Sequence, residues 1–261
     1  MYPAPFDLTD RVAIVTGGGT GIGAAAARVL AQAGADTVLA SRTQENLERV
    51  AKKIESETSR RSLAVPTDVR DEEQVAALVD AAKSAFGRID VLVNNAGGTR
   101  HAYLSDLEPD GWDRAFSLNV RGPYLCTRAV GPHLIESGGG SVINISSGAG
   151  MTGVRGFAPY SAAKAGLQMF TRVAAAEWGA HGIRVNCLAV GAIASENPLK
   201  AWKAAGLDLA DLGRGSALGR VGTPEEVAYP ILFLASDAAA YVNGVTFEVN
   251  GGAALGGGDG P

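Results

Sequence analysis

Seven short apolar runs, separated by longer stretches with helical periodicity, constrain the fold of this chain more than any other feature. The runs are Val12–Val15, Thr37–Ala40, Ser62–Val65, Val91–Asn94, Ser141–Ser146, Arg184–Ala189 and Thr246–Val249. They are mostly β-branched or leucine-rich and alternate only weakly, the pattern of parallel strands covered on both faces. Between them, Ile22–Ala33, Gln44–Ser56, Asp71–Phe86, Asp110–Glu136, Tyr160–Ala180 and Pro224–Ala235 carry apolar residues at helical intervals. Strand–helix alternation of this kind predicts an α/β fold with a doubly wound parallel sheet and helices on both faces. No repeat or linker interrupts the 261 residues, so a single domain over 1–261 is expected. Thr223, Pro224 and Glu226 form a capping-box signature at the start of the last helix. Pro230 within that helix removes a hydrogen bond and predicts a kink. The closing GGAALGGGDGP reads as a flexible tail.

Composition removes several classes of function. A net charge of −4 is wrong for a nucleic-acid platform, which needs clustered lysine and arginine to neutralise phosphates. His101, His133 and His181 lack metal-ligand spacing, and no metal site is expected. Cys126 and Cys187 form no C-x-x-C and read as buried thiols of a reduced compartment. MYPAPFDLTD has neither a basic nor an apolar leader segment, and no run reaches membrane-spanning length. A cytoplasmic protein without nucleic-acid or membrane partners is the expectation.

Three segments carry chemistry. The first strand ends in VTGGGTGIG and passes at once into an alanine-rich helix. Glycines there let the backbone turn tightly and approach a pyrophosphate, whose charge then sits at the helix N-terminus. In FAPYSAAKAG, Tyr160 and Lys164 lie four residues apart and so share a helix face. A cation that close favours phenolate, lowering the tyrosine pKa towards values useful for proton transfer near neutrality. Asn119 stands four residues before Pro123. Because proline has no N–H, the Asn119 carbonyl loses its helical partner, which predicts a kink and a carbonyl free to hold water.

The glycine loop, NNAG at 94–97, Asn119 and SSGAG…YSAAK occur in that order, and with them the chain resembles the short-chain dehydrogenase/reductase family, in its 3-oxoacyl-carrier-protein-reductase-like branch. The resemblance covers Leu8 to Gly252 and implies a Rossmann-type fold. It assigns the proton transfer to Tyr160, orientation of the substrate oxygen to Ser147, thirteen residues upstream, and ribose binding to Lys164. It makes Asn119 the anchor of a water in a proton relay. Gly17, Gly19, Thr20, Gly21, Ile22 and Gly23 form the phosphate loop. Asp68 would contact the adenine, with Val69, Asn94, Ala96, Gly97, Gly191 and Ile193 around the cofactor.

Ser41 and Arg42 follow the second strand, where a carboxylate would favour NAD and an arginine accommodates the 2′-phosphate of NADP. NADP(H) is therefore expected over NAD(H), although Thr20 stands where many NADP-using members carry a second basic residue. Val190 replaces the family's usual proline after the sixth strand. Ser195 replaces its threonine, keeping a hydroxyl for the nicotinamide carboxamide. The reading is a carbonyl reductase or alcohol dehydrogenase for a small-molecule substrate. The alternatives are an enoyl- or dienoyl-thioester reductase acting on C=C and, in another class, a non-catalytic NADP-binding sensor. The segment from Glu196 to Arg220 falls where the family's variable lid lies. Leu199, Trp202, Leu207 and Leu212, beside Lys200 and Lys203, either pack the lid onto the body or meet a bulky apolar substrate such as a steroid-derived ring or an acyl thioester. Finally, Ala162, Ala163, Leu167, Phe170, Val173, Ala174 and Trp178 spread over more than one helix face, which predicts cover by a second copy of the chain or, in the competing reading, by the C-terminal tail of a monomer; the family resemblance implies a homotetramer.

Overall fold

The computed structural model describes residues 2–252. Seven parallel strands form one sheet in the order β3-β2-β1-β4-β5-β6-β7. They are β1 (Val12–Thr16), β2 (Asp36–Ser41), β3 (Ser62–Pro66), β4 (Val91–Asn94), β5 (Gly140–Ser147), β6 (Ile183–Val190) and β7 (Thr246–Val249). The helices are α1 (Gly21–Gln32), α2 (Gln44–Thr58), α3 (Glu72–Phe86), α4 (Pro109–Phe116), α5 (Gly122–Glu136), α6 (Ala149–Thr152), α7 (Ala158–Trp178), α8 (Glu196–Ala204), α9 (Leu209–Gly213) and α10 (Pro224–Ala235).

The two faces of the sheet support separate cores. Ala13 and Val15 point into a cluster with Leu30, Leu47, Ile143, Leu188 and Ile231, beneath α1, α2 and α10. Their neighbours Val12 and Ile14 point the other way, to Leu78, Leu92, Leu125, Val142 and Val185, beneath α3, α5 and α7. Side-chain alternation with both sides covered explains why the strands read as unbroken apolar runs. Both cysteines are buried and free. Burial pushes the Cys126 thiol up to about 12.

Two local expectations change. The stretch expected as one helix over 110–136 contains a π-helical turn at Ser117–Arg121, where the Gly122 N–H reaches back to the Ser117 carbonyl. That wider turn absorbs the donor missing at Pro123. The capping box forms as expected, and α10 continues past Pro230 to Ala235. Of the tail, Gly251 and Gly252 are fixed by hydrogen bonds from Leu218 and Ala217 to their carbonyls. Its remaining residues, 253–261, lie outside the described residues.

Candidate active site

The strand order reverses between β1 and β4, so the connections leaving them run to opposite faces and open a crevice at their C-terminal ends. The glycine loop leaves β1 into that crevice. Gly17 and Gly21 adopt positive φ angles of 66° and 53°. A Cβ on Gly23 would lie 2.2 Å from the Gly17 carbonyl oxygen, so only glycine fits beneath the turn. From β4, Asn95 braces the loop: its Nδ2 donates to the Thr16 carbonyl at 2.9 Å. The Thr16 hydroxyl in turn accepts from the Asn95 and Ala96 amides.

Thr20 precedes α1 in extended conformation, and its side chain does not cap the helix. The first amides of α1 thus keep their donors for another acceptor, and the Ser195 side chain faces the open Cα of Gly21. A dinucleotide pyrophosphate fits this cradle, with no Cβ in the way and a positive helix end to receive it.

Beyond the C-terminal end of β2, Ser41 lies beneath Gly19, and Arg42 is solvent-exposed. Arg42 lies close enough to Asp68 to help hold its carboxyl below the usual range, after the stronger contribution of Arg70. Asp68 is engaged by the Arg70 guanidinium through both carboxylate oxygens. An arginine missed at the sequence level also reaches the loop: Arg49 donates to the Gly19 carbonyl at 3.3 Å.

Three assigned side chains are buried in the core. Asn94 shares the β4 face of Leu92, the α5 side, so its amide enters the core and donates to Thr127 at 3.0 Å and Asn144 at 2.9 Å. Asn144 passes the chain on to Thr171 of α7 at 2.9 Å. Val69 is buried and packs over Gly122. Asn94 and Val69 therefore set the position of α5 and α7, with only their backbones near the crevice. The Ile193 side chain is likewise buried, packed towards Gly222.

The proton-handling groups gather at the N-terminal half of α7. Tyr160 is half-buried; burial pushes its phenol above the ordinary value, and a hydrogen bond with Ser147 pulls part of the way back. Lys164 is buried, with Nζ donating to the Ile145 carbonyl at 2.7 Å and lying 5.6 Å from the Tyr160 ring centre. Burial brings its ammonium down to about 8. The expected lowering of the tyrosine by the lysine is thus absent here. Desolvation dominates, and the lysine charge is spent on a backbone carbonyl.

Gly97 fills the gap between Lys164 and Asn119: a Cβ there would meet the Asn119 Oδ1 at 2.9 Å and Lys164 Nζ at 3.1 Å. The Asn119 amide is fixed by the Gly98 carbonyl at 2.8 Å and the Ala115 carbonyl at 2.9 Å. Ser146, beside Ser147, is structural, bonding the Lys164 carbonyl at 2.9 Å and accepting from Gln168 at 3.0 Å. Gln168 was missed, yet it extends the Tyr160–Lys164 face by one more helical turn, and that spacing was visible.

The family model described as Enoyl-(Acyl carrier protein) reductase matches residues 17–254. The chain belongs to the short-chain dehydrogenase/reductase family. It is 43% identical over 246 residues to cis-4-hydroxycyclohexanecarboxylate dehydrogenase of Sinomonas cyclohexanicum, covering 94% of this chain and 97% of that one. It is 38% identical to the 3-oxoacyl-[acyl-carrier-protein] reductase of Thermotoga maritima, over 94% and 98% of the two chains. The structure of L-sorbose reductase from Gluconobacter frateurii with NADPH and L-sorbose superposes with a TM-score of 0.91 at 30% identity, covering 97% of this chain and 99% of that one. The protein is a hydride-transfer oxidoreductase of the alcohol/carbonyl type.

Proposed function

We propose that the protein is an NADP(H)-dependent carbonyl reductase or secondary-alcohol dehydrogenase, a single domain over 1–261 working in the cytoplasm. The observation that carries this reading is the convergence of Ser147, Tyr160 and Lys164 at the crevice where β1 and β4 diverge. Gly17, Gly19, Gly21 and the α1 N-terminus would hold the pyrophosphate, Arg42 the 2′-phosphate, and Ser195 the nicotinamide end. A bound nicotinamide supplies or accepts the hydride. The protein's part is to align the reacting carbon and manage the oxygen's proton. Ser147 orients the substrate oxygen through its hydroxyl. The Tyr160 hydroxyl gives that oxygen a proton during reduction and takes it back during oxidation. A phenol raised by burial stays protonated at neutral pH, which suits the donor role; alcohol oxidation should accordingly quicken as pH rises. Asn119 and Lys164, separated only by Gly97, would carry the proton onward through a water.

Reduction of a C=C bond is the second reading, favoured by the description of the matching family model. Cofactor consumption by purified enzyme, with NADPH and NADH against a panel of ketones and enoyl thioesters, decides. Ketone turnover with NADPH supports the proposal, enoyl turnover alone supports the second reading, and tight cofactor binding without turnover would indicate a sensor.

The enzyme is further proposed to assemble as a homotetramer through α5 and α7. Ala163, Leu167 and Ala174 belong to the core, and Trp178 packs on Gly131 within the chain. Tyr124, Met169 and Val173 remain 42%, 56% and 48% exposed on the same two helices. Light scattering that gives the mass of one chain at micromolar concentration would contradict the assembly.

A further inference from the structure

Beside the turn that carries Tyr160 two loops meet, one following β4 and one preceding α7. The Ala102 amide donates to the Gly156 carbonyl at 3.0 Å, and the Phe157 carbonyl accepts from Ser161 at 2.8 Å, closing the turn that contains Tyr160. Gly156 has φ of 80°, and a Cβ there would overlap the His101 ring, so the two loops meet as closely as their backbones allow. His101 stands edge-on to both Tyr103, at 5.0 Å, and Phe157, at 5.3 Å. These rings form a continuous wall that starts at the turn carrying Tyr160.

The Arg155 guanidinium lies over the Tyr103 ring at 5.2 Å. No Asp or Glu occurs between Asn95 and Ser105, or between Ser147 and Ala176. Among the described residues, neither Arg155 nor the nearby Arg100 takes part in any ion pair. Most of the protein's other arginines at structural positions are paired with carboxylates, as Arg11 and Arg88 are with Asp90. Arg155 is instead pre-positioned on an aromatic face with its donors uncommitted.

We infer that this mouth selects substrates in which an apolar ring or chain separates the reacting carbon from a carboxylate, with Arg155 binding the carboxylate and the Tyr103–His101–Phe157 wall packing the apolar part. The inference rests on the carbonyl/alcohol reading above. One planar guanidinium fork matches one planar carboxylate through two parallel hydrogen bonds. Arg155 precedes α7, five residues before Tyr160 and across the Gly156 turn, so it serves a substrate group other than the reacting carbon.

The test compares oxidation of cis-4-hydroxycyclohexanecarboxylate with oxidation of neutral 4-methylcyclohexanol by the purified enzyme with NADP. The wild type should favour the carboxylate in kcat/KM by at least about tenfold. Arg155→Ala should reduce the carboxylate-to-neutral ratio about ten- to a hundredfold, mainly through KM, as expected for a lost charge-assisted bond. Arg155→Lys should keep part of the preference and Arg155→Glu invert it. A ratio unmoved by Arg155→Ala and Arg155→Glu overturns the inference while the carbonyl/alcohol reading stands. Failure of the wild type to oxidise either alcohol, or reduce any ketone of the panel, overturns both.

Discussion

At the glycine-loop end of the cleft the backbone is packed too closely to admit a side chain, whereas the mouth and the α8–α9 segment are built from exposed side chains. Gly17, Gly23, Thr16 and Asn95 interlock so closely that a single added carbon has no room. No residue of α8 is buried, Trp202 and Leu212 are half-buried, and Leu199 and Leu207 are exposed. The first arrangement fixes a ligand common to many enzymes; the second leaves the substrate open to change. Rigid backbone at one end and adaptable side chains at the other is the division expected when cofactor chemistry is shared and specificity is not.

The sharpest way to break this comparison is to make the same substitution at both ends. Gly23→Ala drives a Cβ against the Gly17 carbonyl and should destabilise the fold by about 1–3 kcal/mol, with loss of measurable NADPH binding. Gly206, in the α8–α9 connection, has open space around its Cα and φ of 69°. Gly206→Ala should therefore cost only about 1 kcal/mol of backbone strain and leave NADPH affinity unchanged. Thermal unfolding and NADPH titration read both; equal behaviour would erase the contrast. Next in size, Arg42→Ala should weaken NADP(H) about ten- to a hundredfold and NAD(H) much less, from the loss of a charge-assisted bond to the 2′-phosphate. Equal losses in fluorescence titrations with both cofactors would reassign Arg42 to the fold. Smallest is Leu207→Ser, at a side chain 48% exposed. It should move stability by no more than about 0.5 kcal/mol in denaturant unfolding, and a larger loss would mean that the lid packs more firmly than its exposure indicates.

The same division decided what could be read without coordinates. All seven strands were legible within about two residues: burial on both faces leaves apolar runs in β1, β2, β4, β5 and β6, and the edge strands β3 and β7, only partly buried, still carry β-branched residues. The start of α7 was placed two residues late: the helix begins at Ala158 and takes Pro159 into its first turn, where the missing N–H costs nothing. The break at Asn119 was foreseen from Pro123, but its form, a π-helical turn, depends on how α4 and α5 pack. The motif NNAG does not say which asparagine sends its side chain to the core; the two-residue strand period turns the Asn94 side chain inward and leaves that of Asn95 for the loop. The Tyr160–Lys164 spacing was correct, while the direction of the tyrosine shift was not, since burial and the Ile145 carbonyl are tertiary facts. Arg155, Tyr103 and His101 lie fifty residues apart in two loops without periodicity, and only their meeting at Gly156 makes them a wall.

The central claim is that Tyr160 exchanges the proton at the substrate oxygen in a site whose cofactor end is built independently of it. Steady-state turnover and NADPH affinity of Tyr160→Phe, measured on the same preparation, test it most directly. The account predicts NADPH binding close to wild type and turnover lower by at least about 10²–10⁴-fold, the range for losing a general acid/base. Turnover at the wild-type rate, with binding intact, would contradict it.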